Sequence, residues 1–201
     1  MAENIFTQIR MQKGDQDKAF RWYKNTVINL SSGLTGQQLI RGQRLSNVVT
    51  PGYMYMFLYD PKYKNVLPYY DTVPLVLPFS KTADGFIGIN LHYLPYGARF
   101  KLLGDLKKLA TDSRVDENTK IKISWQILNS SSRFLAATAC VKRYLNTQLR
   151  SRFLKVNFAD WETASMLPVE GFKQQSMGKV WKNTKKVQIT NGKFFYKRFS
   201  N

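Results

Sequence analysis

Histidine and cysteine are almost missing from this chain. It carries one of each, His92 and Cys140, in 201 residues. Metal centres and acid–base or thiol catalysis lean on these two residue types, so little of either is expected. Zinc needs four nitrogen or sulfur ligands, which one histidine and one cysteine cannot supply. A lone cysteine forms no internal disulfide and points to a reducing compartment. Long apolar runs are missing too. No stretch reaches about 18 uninterrupted apolar residues, so no membrane span is expected. The opening Met1-Ala2-Glu3-Asn4 lacks the basic and apolar regions of a signal peptide. The protein is expected to be made and used in a cytoplasm, or packed into a particle assembled there. Glycine-rich phosphate loops, helix-turn-helix, zinc-finger and RNA-recognition signatures are all absent. Readout of base sequence is therefore not expected.

Acidic residues are the last shortage. Thirteen Asp and Glu stand against 31 Lys and Arg, a net charge of +18. The excess is uneven. Residues 51–100 are close to neutral, with four basic and three acidic side chains, whereas residues 171–201 hold eight basic and no acidic ones. The near-neutral middle reads as core and the flanks as contact surfaces. The partner implied is a polyanion or an acidic protein surface. At 43% hydrophobic and 14% aromatic, the chain can bury a sizeable core, and disorder throughout is not expected.

Periodicity divides the chain into a basic N-terminal helix and arm (1–50), a core domain (51–170) and a basic, aromatic-rich C-terminal arm (171–201). Residues 15–30 read as a helix closed by Ser31-Ser32-Gly33, and 31–50 as a polar connector rather than a packed element. Residues 53–59, 71–79 and 86–93 read as strands of an antiparallel meander. Asp60-Pro61 starts a type I turn, and Ala83-Asp84-Gly85 forms a hairpin tip. Pro74 and Pro78 place the second strand at an edge or beside bulges. Gly88 marks a close backbone approach or a bulge. Helices are expected at 96–110, with Phe100, Leu103, Leu106 and Ala110 as the apolar stripe, and at 134–149. A short helix capped by Asp160 is expected at 160–166. Residues 121–128 and 150–158 alternate like strands. The fold class is α+β: a small antiparallel sheet or barrel packed by helices, with basic arms at both ends.

Three constellations could carry chemistry. His92 could act as a general base if Asp60, Asp71 or Asp84 oriented it; the blander expectation is a structural histidine bonded to backbone or water. Asp60, Asp71 and Asp84 could hold a divalent cation as in nucleases, though each sits at a turn or strand end where Asp is common. Cys140 reads as a buried apolar thiol. The strongest signal is the basic residues. Lysines interleaved with aromatics over 179–199 suit phosphate neutralisation with ring stacking. Lys179, Lys182, Lys185, Lys186, Lys197 and Arg198 are the candidate contacts, with Lys142, Arg143, Arg150 and Arg152 as a further cluster. No cofactor, metal or catalytic residue is assigned.

The middle of the chain resembles a known family. Tyr59-Asp60-Pro61-Lys62, Leu67-Pro68-Tyr69-Tyr70-Asp71, Pro74-Leu75-Val76 and residues 85–94 (GFIGINLHYL) carry the likeness. It continues through Lys142-Arg143-Tyr144-Leu145, Arg152-Phe153-Leu154, Asp160-Trp161 and Leu167-Pro168. These residues are similar to a tailed-phage virion protein family, found in T-even-type myoviruses and their marine relatives. Its members are described as DNA end protector or head-completion proteins. The resemblance spans roughly 50–170. It implies a non-enzymatic virion protein at the portal, neck or tail that contacts the end of the packaged genome without sequence specificity and shields it from exonuclease. A baseplate, hub or neck subunit that meets only acidic proteins is the alternative. A metal-dependent nuclease built on Asp60, Asp71 and Asp84 is the third reading.

Overall fold

The structure, a computed structural model, describes residues 25, 27–41, 45–50, 52–110 and 140–184. Among the described residues, eight strands and several helices make an α+β fold. The main sheet has six antiparallel strands in the order β1-β7-β2-β4-β5-β6 and does not close into a barrel. Its members are β1 (Leu45–Ser46), β2 (Met54–Met56), β4 (Leu75–Thr82), β5 (Gly85–Asn90), β6 (Val141–Leu145) and β7 (Phe153–Val156). A second, two-stranded sheet pairs β3 (Tyr70–Asp71) with β8 (Phe172–Lys173).

Side-chain alternation along each strand builds a different core on each face. Met54, Met56, Leu75, Leu77, Ile89, Leu154 and Val156 point to an aliphatic core. Helix α2 (Tyr96–Ala110) covers it with Leu102, Leu103 and Leu106, and α3 (Trp161–Met166) with Trp161, Ala164 and Met166. Each buried Leu, Ile, Val or Met among them contributes roughly 1.5–3 kcal/mol. Tyr55, Phe57, Tyr59, Phe86, Tyr144 and Phe153 point the other way and form an aromatic core. Phe57 is its hub, edge-on to four rings at 5.2–6.2 Å.

The meander β2-β4-β5 forms in the expected order, but its second strand starts at Leu75 because Asp71 pairs with Phe172 in the smaller sheet, and Ala83-Asp84 is the two-residue tip between paired Thr82 and Gly85. Pro78 does not mark an edge. It sits in a central strand, where the register shifts between Pro78 and Ser80, so its missing N–H falls at a bulge. Opposite it, a Cβ on Gly88 would strike Val76 and the Leu77 and Pro78 backbone. Gly85 is tighter still, because a Cβ there would overlap the Tyr144 carbonyl oxygen. Gly85→Ala must therefore push β6 off β5. The expected cost is roughly 1–3 kcal/mol, read as a lower midpoint in urea unfolding.

Four expectations need correction. Residues 31–50 are not a bare connector: they hold α1 (Gly36–Ile40), with Leu39 and Ile40 buried, and β1. The helix begins with a capping box in which Gln38 N donates to Thr35 Oγ1 and Thr35 N to Gln38 Oε1. The described part of 134–149 is mainly strand β6 and a 3-10 turn (Asn146–Gln148), because β5 pairs with it. Strand β5 stops at Asn90, whose side-chain oxygen accepts from His92 N and turns the chain into a 3-10 helix (Leu91–Tyr93). Asp160 precedes α3, but its side chain makes no cap hydrogen bond. The expected helix at 15–30 is seen only in its last turn, where Val27 is fully buried and Ser31 N donates to Val27 O. The chain leaves that turn through Gly33, in the left-handed region at φ 77°, as a helix end favours. The strand expected at 121–128 lies outside the described residues.

The stretch 171–184, read from sequence as the start of an arm, is packed onto the fold. Phe172 pairs with Asp71. Helix α4 (177–184) buries Val180 and Thr184 while exposing Lys179 and Lys182.

Candidate nucleic-acid interface

A buried polar network centres on Asp71, Asn90 and His92. Asp71 is buried and accepts four hydrogen bonds: from Val73 N (3.0 Å), Gly171 N (3.1 Å), Asn90 Nδ2 (3.0 Å) and His92 Nδ1 (2.8 Å). Burial alone would raise its carboxyl pKa. The His92 charge and hydrogen bond, with the other donors, outweigh that and hold it below the usual value. His92 is fully buried, and its Nε2 has no hydrogen-bond partner among the described residues. The orienting acid expected for a catalytic histidine is present, but it spends its oxygens on structure. The blander expectation also needs amending, since the partner is a carboxylate rather than backbone or water.

The network extends through Arg99, a wholly buried guanidinium. It donates to the carbonyls of Leu94 (2.7 Å), His92 (3.1 Å) and Ser165 (2.9 Å) and pairs with Glu170 at 2.6 Å. It also lies against the rings of Tyr96 and Trp181. Trp181 Nε1 donates to His92 O at 2.9 Å. These bonds dock α4, and with it Lys179 and Lys182, onto the core. Burial pushes the Tyr96 hydroxyl up to about 12 and the Cys140 thiol up to about 12. Cys140 is thus the inert apolar thiol expected.

The carboxylates proposed for a cation are each engaged elsewhere. Asp84 accepts from Arg143 at 2.7 and 2.8 Å and from Thr82 at 3.0 Å, and these bonds lower its pKa. Asp60 accepts from Lys64 and Arg150, which lowers its pKa likewise. Among the described residues, no three His, Cys, Asp or Glu side chains are grouped to hold a metal ion.

The sequence-selected cations fall into three situations. Arg143 and Arg150 are exposed but share their charge with Asp84 and Asp60. Arg152, Lys179 and Lys182 are exposed. Lys142 is half-buried, its ammonium 4.2 Å from the centre of the Tyr93 ring, and burial pulls its pKa down. Lys185, Lys186, Lys197 and Arg198 lie outside the described residues.

Sequence reasoning missed a cavity of about 440 Å3 between the 61–70 segment and β6. Tyr59, Tyr63, Tyr69, Tyr70, Tyr93 and Tyr144 line it, with Lys62, Lys142 and Arg143. Its signal in the sequence was the tyrosine density of 59–70 next to Lys142-Arg143-Tyr144. Arg99 was missed as well. It sits on the apolar stripe of α2, three residues after Tyr96 and four before Leu103, where a surface arginine does not belong.

A family model described as phage T4 terminal DNA protecting protein matches residues 4–189 of the chain. No curated protein and no solved structure matches it.

Proposed function

The chain belongs to the phage T4 terminal DNA protecting protein family, and from that membership we propose that it binds the ends of phage DNA and blocks exonuclease access without catalysing a reaction. The family match over residues 4–189 carries the reading. The physical chemistry supports it. A net charge of +18 favours phosphate contact and counterion release, and the lack of any base-reading signature suits a ligand defined by its terminus. The proposed setting is the phage particle, with portal, neck or tail proteins as further partners and assembly in the host cytoplasm. None of the described helices is long and apolar enough to cross a membrane.

Binding to linear duplex and to covalently closed circles of equal length, across a salt series, tests the reading. Linear DNA should bind more tightly at every salt concentration. Both affinities should fall with salt, with a slope of about −0.9 per phosphate contacted. Equal binding to the two forms would overturn end recognition and leave a generic basic surface, as a neck or baseplate subunit would have.

A further inference from the structure

The tyrosine-lined cavity has a size and chemistry that the fold itself does not require. Its volume of about 440 Å3 falls within the range of about 300–1,000 Å3 common to small-ligand sites. The floor is made of buried side chains: Asp71, Asn90 and Tyr144. The rim carries Tyr63, an aromatic left 61% exposed on a turn, with the Lys62 ammonium 5.4 Å from its ring centre.

The charge balance inside is incomplete. Asp71 and Asp84 both line the cavity, but Asp71 is saturated by four donors and Asp84 is held by Arg143. Lys142 has no carboxylate partner among the described residues. A cation drawn out of water needs an anion nearby, and the face of Tyr93 compensates it only in part. The cavity therefore offers a stacking wall, one under-compensated cation inside it, and a second cation, Arg143, exposed on β6.

We propose that this cavity seats the terminal nucleotide of a DNA strand, with its base against the tyrosine rings and its phosphate at Lys142. The inference rests on the end-binding reading and names the site that performs it. A base inside a duplex is stacked on both faces and paired, and taking it out carries the cost of breaking both. A terminal base has one free face and leaves its neighbour more easily. Stacking on aromatic rings tolerates any base, because every base has a π-face. Discrimination of ends without readout of sequence follows from these features together.

The test compares a short fluorescent duplex open at one end with the same duplex closed by hairpins at both ends. The quantity read is the ratio of the two affinities. Lys142→Gln removes the cation and keeps a polar group, while Tyr63→Ala trims a ring that is 61% exposed. Each variant should shrink the open-end preference by about tenfold. Lys182→Gln, on the exposed face of α4, should weaken both probes equally and keep the ratio. If both cavity variants hold the wild-type ratio, the cavity is overturned as the site while end binding stands. If wild-type protein shows no open-end preference, end binding itself fails and the cavity assignment falls with it.

Discussion

Asp71→Ala should lose about 3–5 kcal/mol of stability, the cost typical of breaking a buried charged pair from one side. The substitution strands the four donors that Asp71 now satisfies: two backbone N–H groups, the Asn90 amide and the His92 ring. At about 2–4 °C per kcal/mol for a chain of this length, the melting temperature should drop by roughly 10 °C. The same residue sets an acid response. Its folded pKa lies below the unfolded value, so its contribution is full above about pH 4 and is lost as pH falls through the folded pKa. Thermal melts from neutral pH downward should show wild-type stability falling in that window. Asp71→Ala should give a flatter profile from a lower start. An unchanged melting temperature at neutral pH would show that the carboxylate is dispensable to the fold.

Arg99→Leu should be comparably damaging, at about 3–5 kcal/mol. The Leu94 and Ser165 carbonyls lose the guanidinium donor, His92 O keeps only Trp181 Nε1, and the Glu170 carboxylate, 4% exposed, is left without its cation. Leucine fills part of the volume, so the loss is electrostatic more than steric. Arg99→Lys should rescue little, because a compact ammonium cannot span carbonyls that the planar guanidinium reaches at once. The two sites are coupled through His92, which bonds Asp71 by its ring and Arg99 by its carbonyl. The double variant should therefore lose less than the sum of the single losses. Strict additivity in urea melts would separate the two clusters. A Lys variant as stable as wild type would remove the argument from guanidinium geometry.

The sequence made local signals legible and concealed distant ones. The β4–β5 hairpin was readable because alternation and the Asp84-Gly85 tip agree within a dozen residues. Strand β6 was not. Leu135, Ala139, Lys142 and Leu149 mimic helical spacing, and the pairing with β5 that decides the matter comes from residues more than fifty positions away. Thr35-Gly36-Gln37-Gln38 spelled out a capping box inside a stretch that composition marked as connector. Asp71 was singled out as one of three candidate acids for His92 and as a cation ligand, and only the His92 contact is present. Its true partners stand at 73, 90, 92 and 171, and no short window contains them. Lys142 was picked for its charge alone. That it would be half-buried over Tyr93 depends on the register of β6, which the sequence did not disclose.

The strand order has a bearing on how the chain comes to be folded at all. Strand β7 lies between β1 and β2, so during synthesis those two strands wait for a neighbour encoded about a hundred positions downstream. The Gly171 N–H that completes the Asp71 shell arrives later still, across a separation of 100 residues. Closing such long loops is slow, and partly made sheets expose apolar edges meanwhile. A nascent chain halted before Phe153 thus presents Met54–Met56 with one flank bare. Productive folding then waits for the emergence of β7 and of the Gly171 segment from the ribosome.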